Sequence, residues 1–497
     1  MLTYVCAGCG ATVPAGDSAA QPFRCPAARA GDDVDHVLRR EDEPPCPFPE
    51  NEDANPFIRY RALLAAHALA LGVGASDPVF IQFVRELDDA VARVDGHGFT
   101  ETPFGPSPGL AEKLGCTTGE IWVKDETGNV AGSHKARHLM GLMLYLLADS
   151  RRGGLVGLPE SSSEDTAVLG ATTRVGLHGT EGRHPLAIAS CGNAALAAGV
   201  IAGAAGWPID VFVPPSASAA VVERLGQLSA DVHTCDRLDG VPGDPCHALF
   251  RVAVTAGAIP FCCQGSDNAL TIDGGKTLAW EMISAFRRSA RRLWGASRLD
   301  AVFIQVGGGA LASSIVQGFG DALRLGAIDR LPRFYAVQTS GAYPLKRAYD
   351  SVADRILARV PLVVEQGFSP ASDRERAELM RNHPAIIDDE MRYARTHRSA
   401  FMRPWEKAPR SIARGLLDDE TYDWAAVVDG MLRTGGWPLV VSDERLVDAN
   451  VIARQATGIT VDHTGSAGLA GLMKAVGIDS RLAAEHVAVV FSGIHRA

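Results

Sequence analysis

The sequence predicts an α/β fold whose sheets are mostly parallel, and three features of its pattern support this prediction. Short apolar stretches recur from about Gly119 onward, segments with helical periodicity separate them, and glycine- or serine-rich stretches follow several of them. Apolar strands that alternate with helices are typical of parallel sheets covered on both faces. Such sheets bind ligands at the carboxyl ends of their strands, where the unusual stretches lie. The predicted strands are EIWVKDE, PLAIASC, IDVFVP, DAVFIQVG, RFYAVQT and HVAVVFSG.

The composition limits the classes of function. The chain has 497 residues, a formal charge of −10 and no basic tract, so we expect it to bind no nucleic acid. The N-terminus lacks the basic and then apolar order of a signal peptide. The longest run of small apolar residues, AALAAGVIAGAA, is too short to span a bilayer. Because the ten cysteines form no disulfide ladder, we expect a cytoplasmic protein that is not held in a membrane.

The first fifty residues differ from the rest of the chain. They hold four of the ten cysteines and end in the acidic, proline-rich stretch EDEPPCPFPENEDANP, which predicts a linker or an irregular wrap. We therefore expect a cysteine-bearing segment over residues 1–50 and a catalytic core over residues 51–497. Helical patterns open the core at Tyr60 to Leu71 and Pro78 to Val94. The charged stretch from Gly341 to Asp423 predicts an ordered excursion over the core.

Lys135 lies in GSHKARH, directly after the first predicted strand. A lysine at a helix start is usually only solvated, but one placed after a strand end could also attack a carbonyl. The next such stretch, Ser190-Cys191-Gly192-Asn193, closes the strand PLAIASC and opens a helix of small residues. Its glycine and the helix N-terminus favour an anion such as a substrate carboxylate, although serine and asparagine are also ordinary helix caps.

Three glycines, Gly307, Gly308 and Gly309, end the strand DAVFIQVG and lead into a helix. Free N–H groups and the helix dipole favour a phosphate there, although glycines can also simply allow close packing. The spacing matches neither a dinucleotide-binding GxGxxG nor a P-loop. Ser492 closes the last strand and could be a bystander. An amine, an anion site, a phosphate site and a terminal hydroxyl together suggest pyridoxal 5′-phosphate (PLP).

These motifs, in this order, resemble those of the fold type II PLP enzymes, the tryptophan synthase β-like superfamily that also includes threonine synthase and the threonine and serine dehydratases. TPFGPSPGLAEKLG is similar to the family's opening segment and GSHKAR to its Schiff-base motif. SCGNAA is similar to the substrate and cofactor loop, VGGGAL to the phosphate loop and FSG to the ring-nitrogen serine. The resemblance implies a two-lobed α/β fold with its smaller lobe at roughly residues 131–240, and a homodimer.

The resemblance also implies a role for each site residue. Lys135 would be catalytic and would carry PLP as an imine, Asn193 would bond the ring hydroxyl, and Ser492 would face the ring nitrogen. The implied cofactor-binding residues are Lys135, Asn193, Gly307, Gly308, Gly309, Ala310, Leu311 and Ser492. The implied substrate-binding residues are Ser133, Ser190, Cys191, Gly192 and Ala194.

The nearest branch looks like threonine synthase or threonine and serine dehydratase, because YAVQTSGAYPLKRAYD resembles the stretch after the phosphate loop in threonine synthases. His134 departs from the phenylalanine common in the family, and Ala136 and Cys191 also depart from its pattern. A serine at the ring nitrogen leaves the pyridine largely neutral, which suits elimination or replacement better than transamination. We therefore expect a PLP-dependent lyase or synthase that acts on an amino acid with a β- or γ-leaving group.

Two other functions fit parts of the pattern. One is a PLP-binding regulatory protein that has lost turnover, which the departures at Ala136 and Cys191 favour. The other is an unrelated α/β nucleotide enzyme that uses the three glycines without any imine. The stretch Asp462-His463-Thr464-Gly465-Ser466 is more typical of a turn and helix cap near the cofactor than of a catalytic triad, whose members come from distant positions.

A structural zinc site is a further hypothesis. Cys6 and Cys9 have the CxxC spacing of a zinc knuckle, and Cys25 follows after fifteen residues. A closed zinc site needs four ligands, and the fourth could be His36 or Cys46. The alternative is a cysteine-bearing loop that holds no metal.

Overall fold

The computed structural model describes residues 2–15, 21–29, 31–41, 46–116, 118–150, 184–236, 244–292, 298–406 and 408–496. All six predicted strands are present, together with shorter ones that the sequence analysis did not predict. The strands are β1 (Thr3–Cys6), β2 (Thr12–Pro14), β3 (Leu38–Arg40), β4 (Phe104–Pro106), β5 (Glu120–Asp125), β6 (Leu186–Ala189), β7 (Ile209–Val213), β8 (Asp231–Thr234), β9 (Ile259–Pro260), β10 (Ala301–Gln305), β11 (Arg333–Thr339), β12 (Leu439–Val441) and β13 (His486–Phe491).

The largest sheet has six strands in the order β12-β11-β10-β13-β5-β4. All neighbours in it are parallel except β4, which pairs antiparallel with β5. Its central strands are buried apolar runs, as a sheet covered on both faces requires. The strands β10, β13 and β5 are neighbours, so the segments that follow them leave the same edge of the sheet.

A second, parallel sheet has four strands in the order β8-β7-β6-β9. Strands β6, β7 and β8 lie within the predicted smaller lobe, at roughly residues 131–240, whereas β9 lies beyond that stretch. Residues 151–183 and 237–240 of that stretch lie outside the described residues. The bounds of the lobe therefore stay a prediction.

The helices that cover these sheets follow the predicted alternation. They are α1 (Pro56–Arg59), α2 (Ala65–Gly72), α3 (Asp77–Asp95), α4 (Pro108–Lys113), α5 (Lys135–Ser150), α6 (Asn193–Ala204), α7 (Ala219–Gln227), α8 (Pro245–Thr255), α9 (Thr271–Arg292), α10 (Ala310–Arg324), α11 (Pro344–Leu357), α12 (Pro361–Val364), α13 (Asp373–Arg381), α14 (Pro384–Thr396), α15 (Arg398–Phe401), α16 (Trp424–Thr434), α17 (Asp443–Thr457) and α18 (Ala467–Val476).

The first helical pattern differs from its prediction. The stretch predicted as one helix from Tyr60 to Leu71 is a 3₁₀ turn, Arg61–Leu63, followed by α2, because Leu64 is extended at φ −88° and ψ 139°. The predicted helix at Pro78 to Val94 is present as α3, which ends at Gly96 with φ 93°. Among the described residues, no helix is both long and apolar enough to cross a membrane.

Helix α5 packs very closely on α9, and this contact fixes the start of α5 in the core. A Cβ atom at Gly141 would lie 2.5 Å from the Cα atom of Gly274, so neither helix tolerates a side chain there. The helix α5 begins at Lys135. Its position is therefore set by the packing of a buried helix rather than by a surface loop.

The N-terminal segment forms a small antiparallel sheet in the order β2-β1-β3. It docks on the excursion predicted at 341–423, whose described residues contain α11 to α15. The Asp35 N–H donates to the Arg395 carbonyl at 2.7 Å, and the Arg398 N–H donates to the Asp33 carbonyl at 2.8 Å. Residues 42–45 of the predicted linker lie outside the described residues, and residues 46–55 carry no regular helix or strand.

Candidate active site

Lys135 follows β5 through a tight turn that depends on Gly132. Gly132 has φ 69°, and a Cβ atom there would lie 2.4 Å from the Ile494 side chain. The Ile494 N–H donates to the Gly132 carbonyl at 2.9 Å, which joins the turn to the segment after β13. The Lys135 N–H donates to the Ser133 hydroxyl at 3.4 Å. The turn therefore places the lysine at the carboxyl edge of the six-stranded sheet.

A buried ionic network lies behind Lys135. The Arg137 guanidinium donates to Glu126 at 2.7 Å and to Glu281 at 2.8 Å, and the Lys124 ammonium also donates to Glu281 at 2.5 Å. All four side chains are at most 1% exposed. Burial raises the pKa of Glu281, but the charges of Arg137 and Lys124 outweigh it, so that pKa lies below its usual value. The two positive and two negative charges balance and anchor the first turn of α5.

A cavity of about 980 Å³ lies in front of Lys135. All of the predicted cofactor-binding residues line it, and so do all of the predicted substrate-binding residues except Ser133, which instead accepts the Lys135 N–H. The structure thus brings four stretches together that are far apart in sequence. The predicted residues that line the cavity are Lys135, Ser190, Cys191, Gly192, Asn193, Ala194, Gly307, Gly308, Gly309, Ala310, Leu311 and Ser492.

The stretch after β6 forms one wall of the cavity. The Gly192 N–H donates to the Ser190 hydroxyl at 3.5 Å, and Asn193 begins α6. Arg496 donates to the Asn193 side-chain oxygen at 2.5 Å and to the Ala131 carbonyl at 2.7 Å. The arginine therefore ties the start of α6 to the turn before Lys135.

The glycine loop after β10 is covered by a segment that the sequence analysis did not connect with it. The Thr421 hydroxyl donates to the Gly307 carbonyl at 3.0 Å, and the Asp423 N–H donates to the Gly308 carbonyl at 3.1 Å. Gly309 has φ 99° and caps α10. The loop conformation therefore requires glycine at position 309, and the hydrogen bonds from Thr421 and Asp423 hold the loop in place.

Asp418 is the most notable residue that sequence reasoning missed. Its carboxyl group lies against the glycine loop, because a Cβ atom at Gly307 would lie 2.4 Å from an Asp418 carboxyl oxygen. Burial raises the pKa of Asp418 to about 6, and the nearby Lys135 charge opposes this rise. A carboxyl oxygen therefore lies beside the glycine loop, where a phosphate would bind. Nothing in LDDETYDW alone indicates this contact, because it joins residues more than a hundred positions apart.

Asp462 is a second acidic residue on the cavity wall. It accepts the Gly465 N–H at 2.6 Å, and burial raises the pKa of Asp462 to about 6. His463 and Thr464 line the same wall. The turn predicted for this stretch is present, directly before α18 and on the wall of the cavity.

Ser492 and His134 form a contact between the ends of β13 and β5. The His134 backbone N–H donates to the Ser492 hydroxyl at 3.1 Å, and the His134 Nδ1 atom lies 2.5 Å from the same oxygen. Burial, followed by the charges of Lys135 and His138, lowers the pKa of His134 well below its usual value. The His134 imidazole is therefore neutral.

The residues around the cavity fit PLP. Lys135, the glycine loop and Ser492 all line one cavity, and a Cβ atom at Gly307 would lie 2.4 Å from Asp418. The loop can therefore bind an anion but has no room for a side chain at position 307. A bound phosphate would lie beside the Asp418 carboxyl group or displace it.

Comparison with known proteins decides the family. The profile of the family described as "Pyridoxal-phosphate dependent enzyme" matches residues 97–376. The chain belongs to this family. The prediction of a fold type II PLP enzyme, a lyase or synthase that carries out elimination or replacement on an amino acid, is confirmed at this level.

Individual relatives share the sequence only distantly. Threonine synthase of Methanocaldococcus jannaschii is 23% identical over 373 residues, which cover 75% of this chain and 69% of that protein. Threonine synthase of Mycobacterium tuberculosis H37Rv is 23% identical over 377 residues, which cover 76% of each chain.

Two solved structures share the α/β fold of this PLP enzyme. Diaminopropionate ammonia lyase from Escherichia coli superposes with a TM-score of 0.53 at 15% identity, over 85% of this chain and 91% of that one. The processed form of threonine deaminase isoform 2 from Solanum lycopersicum superposes with a TM-score of 0.50 at 16% identity, over the same shares of the two chains.

A separate cluster of side chains that could hold a metal ion lies beside the N-terminal sheet. Its members are the three predicted cysteines, Cys6, Cys9 and Cys25, and His36, one of the two candidates for the fourth ligand, and their ligand atoms all lie within 4.8 Å of one another. The Cys6 Sγ to His36 Nδ1 distance is 3.5 Å, and the Cys9 Sγ to Cys25 Sγ distance is 3.6 Å. Cys46 does not belong to this cluster.

Proposed function

We propose that this PLP enzyme catalyses a threonine synthase-like reaction or a threonine or serine ammonia-lyase-like reaction. The observation that carries the proposal is the convergence of Lys135, Ser492 and the glycine loop on one cavity, at the ends of three neighbouring strands. The threonine synthases among the relatives support the choice of branch. The solved structures support only the fold.

The residues around the cavity would have different roles in the reaction. Bound PLP would supply an electron sink for bonds at the substrate α-carbon. The Lys135 amine would hold the cofactor and, once released, would move the α-proton. The N–H groups at the start of α6, together with Ser190, would hold the substrate carboxylate. The glycine loop would hold the cofactor phosphate, and Ser492 would meet the ring nitrogen.

The absorption spectrum of the purified protein tests this proposal. We expect a PLP band that disappears in Lys135→Ala, persists in the exposed control Lys113→Ala, and shifts when one of serine, threonine or O-phosphohomoserine is added. The amino acid that shifts the band, followed by analysis of its product, identifies the reaction. A wild-type protein that shows no band after addition of PLP would refute the proposal.

The second candidate is a PLP-binding regulatory protein without turnover, which the departures at Ala136 and Cys191 favour. Cys191 lines the cavity, in the stretch that would hold the substrate carboxylate. This candidate predicts a band that depends on Lys135 but does not change with any of the three amino acids. Turnover of any of them would exclude it.

We also propose that Cys6, Cys9, Cys25 and His36 bind one structural zinc ion. Ligand atoms around a tetrahedral zinc lie about 3–4 Å apart, given bonds of about 2.0–2.3 Å, and the two measured separations agree with this spacing. The Asp32 carboxylate lies 3.0 Å from His36 Nε2, as in the carboxylate–histidine pairs that orient zinc ligands. We expect one zinc per chain by elemental analysis, lost in Cys9→Ser and retained in Cys46→Ser. Wild-type protein without zinc would contradict the proposal.

The remaining proposals concern organisation. We propose that residues 1–50 form a zinc-ribbon-like unit docked on a catalytic core of residues 51–497, with a smaller lobe at roughly 131–240. We further propose a cytoplasmic homodimer, which the family resemblance supports. Sedimentation equilibrium should give twice the chain mass of 52.5 kDa, and a monomer at micromolar concentration would contradict the dimer.

A further inference from the structure

His134 contacts Ser492 through two different groups. Its backbone N–H and its ring Nδ1 atom both lie within hydrogen-bond distance of the same hydroxyl oxygen, at 3.1 and 2.5 Å. Both side chains are buried, His134 at 9% exposure and Ser492 at 3%, and both line the cavity. His134 and Ser492 are therefore joined by hydrogen bonding on the wall of the cavity.

The number of hydrogen bonds that the Ser492 hydroxyl can make limits how it can contact both His134 and a group in the cavity. A serine hydroxyl has one donor and two acceptor positions, and the His134 backbone N–H fills one acceptor position. If the Nδ1–H group also donates to the hydroxyl, both acceptor positions are filled. The hydroxyl can then only donate its own hydrogen to a group in the cavity. If the hydroxyl instead donates to Nδ1, it has no hydrogen left for the cavity.

The far side of the ring distinguishes the two arrangements. The Nε2 atom of His134 is buried and has no hydrogen-bond partner among the described residues. Because the ring is neutral, a hydroxyl that donates to Nδ1 would leave an N–H group buried without an acceptor at Nε2. Buried N–H groups without partners are rarer than acceptors without donors, so the geometry favours the hydrogen on Nδ1.

We propose that His134 is a positioning residue whose Nδ1–H group holds the Ser492 hydroxyl as a hydrogen-bond donor to the cavity. This inference rests on the proposed function, in which Ser492 meets the ring nitrogen. It explains why the chain has a histidine where the family commonly has phenylalanine, since a phenylalanine ring has no group to fill the second acceptor position.

A matched pair of variants tests the role of the ring nitrogen. In His134→Asn the side-chain amide can place an N–H near the position of Nδ1, whereas His134→Leu has a similar shape without a donor. Both variants lack the outer atoms of the imidazole ring, so both lose a similar amount of packing. We expect His134→Leu to bind PLP about fivefold more weakly than His134→Asn, as the loss of one hydrogen bond predicts. In the Ser492→Ala background this difference should disappear. Equal affinities for the pair, or a difference that persists with Ser492→Ala, would overturn the inference.

The tautomer of His134 gives a second readout that does not need the cofactor. Nitrogen NMR of protein labelled with ¹⁵N-histidine, with the His134 signals assigned by their loss in His134→Asn, should show a neutral ring with its hydrogen on Nδ1. A hydrogen on Nε2 would overturn the inference while leaving the proposed function intact. Failure of the wild-type protein to bind PLP would instead refute the proposed function, whatever the tautomer.

Discussion

Removal of the Arg137 guanidinium should destabilise the protein strongly. In Arg137→Met the buried network keeps the two carboxylates of Glu126 and Glu281 but only one cation, Lys124. The variant also loses the guanidinium hydrogen bonds, which run to both glutamates and to the hydroxyls of Thr102 and Thr277. Breaking a buried ion pair by removing one partner costs about 3–5 kcal/mol, a large part of a typical stability of about 5–15 kcal/mol.

Urea unfolding followed by tryptophan fluorescence measures this loss. Adding Glu281→Gln to Arg137→Met should restore part of the stability, because it removes the unbalanced charge. The control is Arg433→Met, whose guanidinium is 38% exposed and pairs with Asp388 and Asp429 at the surface, and it should cost less than about 1 kcal/mol. A loss below about 1 kcal/mol for Arg137→Met would refute the view that this network anchors the start of α5.

Three further predictions follow from the site and the zinc cluster. Because burial already holds the pKa of Asp418 at about 6 and a nearby phosphate would raise it further, PLP affinity should fall as pH rises above about 6. In Asp418→Asn the PLP affinity should lack this decrease with rising pH. Identical pH profiles of PLP affinity for the variant and the wild-type protein would contradict the prediction. Asp32→Asn should weaken zinc binding about 10–100-fold in a chelator competition, because it removes the partner of His36, whereas unchanged affinity would mean that Asp32 does not orient the ligand. Gly309→Ala should cost about 1–3 kcal/mol in urea unfolding and weaken PLP binding, since Gly309 has φ 99° and a Cβ atom would lie 2.8 Å from Thr421. The control Gly320→Ala, within α10 and with open space around it, should leave PLP binding unchanged, and equal effects of the two would contradict the role of the loop.

The strands that the sequence predicted are those with continuous apolar runs. These runs identify β5, β6, β7, β10, β11 and β13, because buried parallel strands need apolar residues on both faces. The strands that were missed are short or have mixed polarity, such as β8, with sequence DVHT, and the two-residue β9. Their pairing depends on neighbours that local sequence does not reveal.

The candidate site was predictable where a motif is local. Lys135, Ser190 to Asn193, Gly307 to Gly309 and Ser492 each follow a recognisable strand, and the sheet topology brings them together. Asp418 was not predicted as a site residue, because its position beside the glycine loop depends on long-range packing. The choice of His36 over Cys46 as the fourth member of the metal cluster likewise required the fold, since both have acceptable spacing in the sequence.

The central claim is that Lys135 carries PLP. Borohydride reduction of the protein with PLP, followed by peptide mass mapping, tests it directly, because reduction fixes the cofactor on the amine that holds it. We predict a single modified lysine, Lys135, and no modification of Lys124, which is fully buried and bonded to Glu281. A cofactor fixed on any other lysine, or on none, would contradict the account.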